Sequence, residues 1–359
     1  MTSRPPSTAA QSSTDELSVT SPAPRRLWRA VLEADPHALV TQTPDWLDAV
    51  CAGGPFEDVS RAYHLPDGRD IVLPMVRRRY FRQLGVQASF PPSWGFGGLL
   101  AAGGPRVEDL RPVLRDLAGV RAIRASVRPN PLHGRLYAAA RPPGAVGVGR
   151  LAHVLSLDGG FDRVWKHGFK SRTRTYIRKA ERTNLTIDRD TTGRLVPVLH
   201  DLFQLSLSRW ARKQHEPELL ARWRGQRRDP PEKFKLLAAH LGDSCRTWVA
   251  YCAGRPAAAI LVLQGTNAHY TRGVMDEELA GPTRANYLLH KLAIEEACAE
   301  GCQHYHMGES GGNPALAQFK TRFGAEPHCY CEYHFERLPL TAIDRSARTA
   351  VKRTIRFRD

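Results

Sequence analysis

The chain has 359 residues, 42% hydrophobic and 25% charged, a globular balance long enough for two cores of common domain size. No apolar run approaches the roughly 18 residues that span a bilayer, residues 1–24 lack the apolar middle of a signal peptide, and seven cysteines, an odd count, argue for a reducing cytoplasm over a disulfide scaffold. The net charge is +16, and nearly all of it sits in residues 161–182, 209–235 and 344–359, with net charges of +6, +5 and +4. Charge concentrated in this way predicts a polyanionic partner: nucleic acid, a phosphorylated donor or an anionic lipid surface.

Residues 1–26, rich in Ser, Thr and Pro, read as a disordered tail. A helical spacing starts at Trp28, and Thr43-Pro44-Asp45-Trp46 reads as a capped helix start with Pro in the first turn. Residues 59–65 and 70–79 alternate apolar with polar around Pro66-Asp67-Gly68, a hairpin pattern. A Gly-rich run follows Trp94, residues 107–117 read as a helix, and the Pro/Gly punctuation at 141–144 puts a domain boundary near residue 150.

The second half predicts a basic helix over 161–182, a strand over 185–189 and a helix over 194–213. An arginine-rich loop then leads to a helix at 231–241 and three meandering strands between 247 and 275. The central helix 284–300 is closed by Gly301, then come a strand at 302–307, a glycine loop at 308–312, a short helix at 314–323 and a strand at 328–337. This order describes an α/β (α+β) fold with a mixed sheet. It divides the chain into a tail (1–26), an N-terminal domain (27–150), a C-terminal domain (151–340) and a basic tail (341–359).

Three segments carry a resemblance. They are the basic run Arg172-Thr-Arg-Thr-Tyr-Ile-Arg-Lys-Ala-Glu-Arg182, the central helix Ala285–Gly301, and Leu316-Ala-Gln-Phe-Lys-Thr-Arg-Phe-Gly-Ala325. In this order and spacing the chain resembles the Fem-like branch of the GNAT acyltransferase superfamily, whose members include the peptidoglycan-bridge aminoacyltransferases. The resemblance implies two tandem GNAT-like domains, each a mixed sheet flanked by helices, the first being degenerate. It also implies transfer of an aminoacyl group from aminoacyl-tRNA to an amine of a small-molecule, peptide or cell-wall acceptor, with no tightly bound cofactor. Residues 278–286 occupy the place of the Arg/Gln-x-x-Gly-x-Gly/Ala pyrophosphate loop of acetyl-CoA enzymes without matching it. Acyl-CoA is the alternative donor, and a non-catalytic nucleic-acid-binding protein on the same scaffold is the reading from another class.

Acyl transfer to an amine needs a proton acceptor, a donor for the oxyanion and help for the leaving group. Lys320, at the family's lysine position, is the first candidate for the oxyanion or a donor phosphate, and His306 and Glu309 are candidates to accept the amine proton. Phe319, Arg322 and Trp94 are candidates for the donor or acceptor pocket. Arg284, Asn286 and Tyr287, opening the central helix, are placed to meet a donor phosphate at a helix N-terminus. Lys166, Lys170, Arg174 and Arg178 recur every four residues as one helical ridge. With Arg172, Lys179, Arg224, Arg227 and Arg228 they form the expected phosphate track for tRNA. Cys302, His304 and His306 share a strand face, but the spacing matches no structural zinc pattern, so no metal is expected.

Overall fold

A computed structural model describes residues 17–80 and 85–354. In chain order the N-terminal half contributes strands β1 (Ser18–Thr20), β2 (Glu57–Asp58), β3 (Arg61–His64), β4 (Asp70–Leu73), β5 (Val76–Arg79), β6 (Gly85–Ala88), β7 (Leu100–Ala101) and β8 (Arg124–Val127). The C-terminal half contributes β9 (Val146–Ser156), β10 (Leu185–Asp190), β11 (Cys245–Cys252), β12 (Arg255–Gln264), β13 (Ala268–Met275), β14 (His304–Glu309) and β15 (Glu326–Glu336). One four-stranded sheet, β1-β3-β4-β7, belongs to the N-terminal half. An eleven-stranded sheet runs through the whole molecule in the order β10-β11-β12-β13-β14-β9-β15-β8-β6-β5-β2. Both halves are mixed α/β, and they are joined edge to edge rather than by a linker.

The expected hairpin forms between β3 and β4, with Gly68 at φ +82° in its turn. It ends sooner than the alternation suggested. Pro74 has no N–H to give a ladder, and the chain leaves the small sheet there to enter the large one as β5. The expected tail is corrected from Ser18 onward: β1 pairs with β3, and a helix begins at Arg25, while residues 1–16 lie outside the described residues. The expected boundary near residue 150 falls inside β9. That strand and β15 join the halves, because β15 pairs with β9 over Glu326–His334 and then with β8 over Tyr333–Glu336. The basic C-terminal segment is a helix over Leu340–Thr354.

Strand β12 explains the arrangement of the C-terminal half. Its continuous apolar run is the pattern of a strand covered on both faces. Ala258, Ile260 and Val262 pack under the helices Ser171–Arg182 and Ala285–Ala299 through Ile177, Leu289 and Ala293. Ala259, Leu261 and Leu263 face the helices Val196–Gln214 and Pro231–Leu241 through Leu199, Phe203 and Phe234. Residues 218–228, expected as an arginine-rich loop, are instead a helix packed on Val196–Gln214 and bracketed by Pro217 and Pro230. The first two basic segments therefore lie on opposite faces of the sheet.

The basic segment 161–182 is not one helix. A short turn, Gly160–Arg163, passes into a π-helical stretch, Val164–Gly168. The chain then extends through Phe169 and Lys170 before the helix Ser171–Arg182 starts. The break accommodates the end of the helix Pro314–Arg322. The Arg322 carbonyl accepts from Lys170 N at 2.9 Å and from the Thr173 hydroxyl at 2.8 Å. Gly324, at φ +84°, lies so close to the break that a Cβ would stand 2.7 Å from the Gly168 carbonyl oxygen. Gly324→Ala should therefore lose about 1–3 kcal/mol in a urea titration, from left-handed strain and backbone collision together; the same change at the open Gly254 should lose no more than the strain component.

Candidate active site

Strands β13 and β14 are parallel neighbours, but only Ala268↔Tyr305 and His269↔His306 pair; beyond them the strands part. Register shifts border the opening on both sides, at Leu261/Val262 in β12 and at His306/Gly308 in β14, where Gly308 takes φ +72°. Aromatic rings fill the space between the strands and the central helix. His290 stands 4.6 Å from the Tyr270 ring and 5.4 Å from Phe319, and Phe319 lies 5.2 Å from Tyr287.

Lys320 is anchored at the bulge. Its side chain is only 2% exposed, and Nζ donates to the backbone carbonyls of Gly308 at 2.9 Å and Glu309 at 2.7 Å. Burial makes the charged form expensive and brings its pKa down to about 7, the nearby Glu309 acting weakly the other way. A neutral amine has two N–H donors and one lone pair. Both donors are taken by the two carbonyls, so the lone pair remains as the acceptor. His269 and His290, both within range of the Lys320 charge, are buried and pushed down to about 3, so their rings stay neutral.

At the mouth of the opening stands Tyr176, its ring 5.0 Å from Tyr287. Arg172 Nε donates to its hydroxyl at 2.6 Å, and the Arg284 guanidinium lies 4.4 Å above its ring. The Arg172 hydrogen bond, with the charges of Arg284 and Arg322, lowers the Tyr176 pKa. Arg284 occupies a left-handed conformation at the junction of the helices Glu277–Thr283 and Ala285–Ala299, and its Nε is buried without a partner. One cation on the phenol hydroxyl, a second over its ring and a third near enough for its charge to act on it, with an unpartnered donor among them, suit an anionic group.

The structure thus brings together Lys320, Phe319, Tyr287, Arg322, Arg284 and Arg172. Other candidates lie elsewhere. Trp94 is not in the opening: it is buried against Trp46, with Lys233 Nζ 4.4 Å from its ring. Phe96, two residues on, is the loop residue that stacks on His269. His306 has no exposed surface, and burial holds its pKa well below the ordinary histidine value, which corrects its expected place as proton acceptor. Glu309 meets Lys320 through its backbone carbonyl, while its carboxylate accepts from the Tyr330 hydroxyl and lies 3.7 Å from Arg150. Asn286 Nδ2 donates to Met275 Sδ at 2.8 Å.

The expected phosphate track also divides. Arg174 is a structural residue: one guanidinium nitrogen donates to the carbonyls of Trp165, Lys166 and Phe169, closing the π-helical stretch. Arg224 and Arg228 are ion-paired with the buried carboxylates of Glu216 and Asp229, at 2.7 and 2.8 Å. Arg227 is exposed and rests on the Trp223 ring, on the sheet face away from Lys320. Lys166 and Lys170 are exposed, but the helix break takes them off a common ridge with Arg178. Arg178 and Lys179 remain together and, with Thr175, Arg182 and Thr183, line a surface depression of about 460 Å³.

Sequence reasoning missed Tyr176, Tyr270, His269 and His290. The closeness of Arg284 that singles out Tyr176 is a tertiary fact. Ser310 was also missed: it sits in the glycine loop, and its hydroxyl is buried without a partner. Among the described residues no group of three or more His, Cys, Asp or Glu side chains is arranged to hold a metal ion.

The GNAT acetyltransferase domain family matches residues 168–321, the stretch from the helix break to the residue after Lys320. No curated protein matches the chain. Among solved structures the chain is similar to FemX, at 11% identity and a TM-score of 0.65 over 91% of this chain and 99% of that one. It is also similar to the C-terminal domain of a putative lysylphosphatidylglycerol synthetase from Agrobacterium fabrum, at 12% identity and a TM-score of 0.51 over 91% and 96%. At these identities the likeness is one of fold, and the family match supplies the chemistry. Residues 168–321 thus carry a GNAT acetyltransferase domain, and the chain as a whole shares the fold of FemX.

Proposed function

We propose that the protein is an aminoacyl-tRNA-dependent aminoacyltransferase that forms an amide on an amine of a small-molecule, peptide or cell-wall acceptor. The observation that carries this reading is the pairing of a buried, readily neutralised lysine with three cations at the same opening. An aminoacyl ester on a terminal ribose presents its carbonyl close to a phosphate. Arg172, Arg284 and Arg322 suit that phosphate, and Lys320 suits the carbonyl. The segment 277–283 favours this donor over acyl-CoA. It is wound into a short helix rather than an open loop, and the N–H groups of Ala280 and Arg284 are taken by the carbonyls of Asp276 and Ala280, so those two are not free to cradle a pyrophosphate.

In this mechanism the acceptor amine attacks the ester carbonyl, and its proton passes to the lone pair of Lys320 Nζ. The resulting ammonium stabilises the tetrahedral oxyanion and returns the proton to the departing ribose oxygen. The products are an amide and deacylated tRNA. Phe319, Tyr287 and His290 exclude water from the ester, which would otherwise be hydrolysed.

Incubation with total tRNA charged with radiolabelled amino acids, and in parallel with acetyl-CoA, tests the donor. Label discharge that requires an amine acceptor and falls steeply with salt is expected; turnover of acetyl-CoA alone sinks the reading. Lys320→Met should lower discharge about 10²–10⁴-fold and leave tRNA affinity within twofold. Replacing Arg178, Lys179 and Arg182 with alanine should instead weaken tRNA binding and reduce its log–log salt slope by about 2–3, with the rate at saturation kept.

The lysine titration can be read directly. In protein with ¹³C-labelled lysine side chains, one Cε resonance should titrate near pH 7 and vanish in Lys320→Met. The amine is neutral above that midpoint, so discharge should rise with pH through about 7 and level off. Because the folded-state pKa lies below the unfolded one, the same group should add stability as pH rises from about 7 toward the ordinary lysine range. A lysine spectrum with no resonance below pH 8 would remove the base from this scheme.

A further inference from the structure

The helix Glu218–Arg228 is turned the wrong way for a globular surface. Its buried positions are the small residues Ala221 and Gly225, and Gly225 is the seat of Leu207 from the neighbouring helix. Its large apolar residues point outward: Leu219 is 83% exposed and Trp223 58%. Leu219 and Trp223 stand one turn apart on the same side, with Leu220 beside them and also exposed. Contiguous apolar exposure of this kind marks an interaction site.

The surroundings identify the partner. Arg227 lies over the Trp223 ring at 5.5 Å, while Arg222 and Arg224 on the same helix are paired with Glu218 and Glu216. Arg212, from the adjacent helix, is exposed and close enough to Glu218 for its charge to be felt. Residues 209–235 carry a net +5. A nucleic acid would meet the arginines but leave Leu219 and Leu220 against phosphate and water. A second copy brought face to face would oppose one arginine cluster with another. An anionic bilayer meets both halves of the pattern, with lipid phosphates for the cations and the headgroup–acyl boundary for leucine and tryptophan.

We propose that the outward face of the helix Glu218–Arg228 docks on an anionic lipid surface, with Leu219, Leu220 and Trp223 entering the interface and Arg212 and Arg227 contacting lipid phosphates. This surface lies across the sheet from Lys320, so the inference does not depend on the identity of the acyl donor. Docking through this face leaves the opposite one, which carries Tyr176 and the basic helix Ser171–Arg182, turned to solvent.

The test is co-sedimentation of the full chain with equimolar phosphatidylglycerol–phosphatidylcholine vesicles and with phosphatidylcholine vesicles alone. Binding to the anionic vesicles is expected, at least about tenfold stronger than to the neutral ones and weakened by salt. The double variant Leu219→Gln, Trp223→Gln should lose about tenfold or more of that binding, with its melting temperature unchanged because both side chains are exposed. As a readout that needs no disruptive variant, brominated lipid should quench part of the tryptophan fluorescence, and Trp223→Phe should abolish that quenching. Equal binding to both vesicle types, or unaltered binding by the double variant, would overturn the proposal. So would self-association that disappears in the variant, or nucleic-acid binding lost by the same two changes.

Discussion

Two backbone carbonyls and one buried amine organise the candidate site. Gly308 can present its carbonyl to Lys320 because the chain turns through a positive φ at the β14 bulge, where a Cβ would stand 3.3 Å from the Tyr270 carbonyl oxygen. Lys320 in turn ties the helix Pro314–Arg322 to the strand that carries the bulge. The amine is held where water is scarce, so its proton affinity is set by desolvation rather than by an ion pair. The histidines around it follow the same rule and stay neutral, which leaves the lysine as the group poised to exchange a proton near neutrality.

Charge is partitioned by the sheet. The eleven strands form a wall, and β12, apolar on both faces, keeps the basic helices on its two sides apart. On one side Arg172, Arg284 and Arg322 gather at Tyr176 beside the opening. On the other, several arginines are tied into internal pairs around Asp229 and Glu216. Asp229 alone engages Arg228, Lys233 and Arg272 at 2.8, 3.0 and 2.6 Å, and their charges hold its pKa down to about 2 against its own burial. The formal charge of this segment therefore overstates the cations free for a partner.

Much of the C-terminal architecture was legible because its signals are local. The meander follows from alternating apolar runs and Gly-containing turns, and the helices Pro231–Leu241 and Ala285–Ala299 from periodicity and end signals. Lys320 and Arg322 were legible because the stretch that carries them, Phe319 to Gly324, is contiguous. What failed was long-range. Arg174 looked like one step of a charged ridge because spacing cannot reveal that three carbonyls at a helix break need its guanidinium. Residues 218–228 were read as a loop because their apolar residues face outward, which weakens the periodicity that marks a packed helix. The sheet shared by the two halves was hidden because β9 carries glycines at 147 and 149 that blunt its strand pattern, and because β15 changes partner along its length.

That change of partner limits how the molecule can move. β15 is hydrogen-bonded to the C-terminal half at one end and to the N-terminal half at the other, with Arg128 and Arg150 meeting on Glu332 across the seam. A clamshell rotation between the halves would have to break this ladder. On the proposed reading the reactants are bound without such a closure, and selectivity becomes a matter of shape at the rim rather than of closure around the guest.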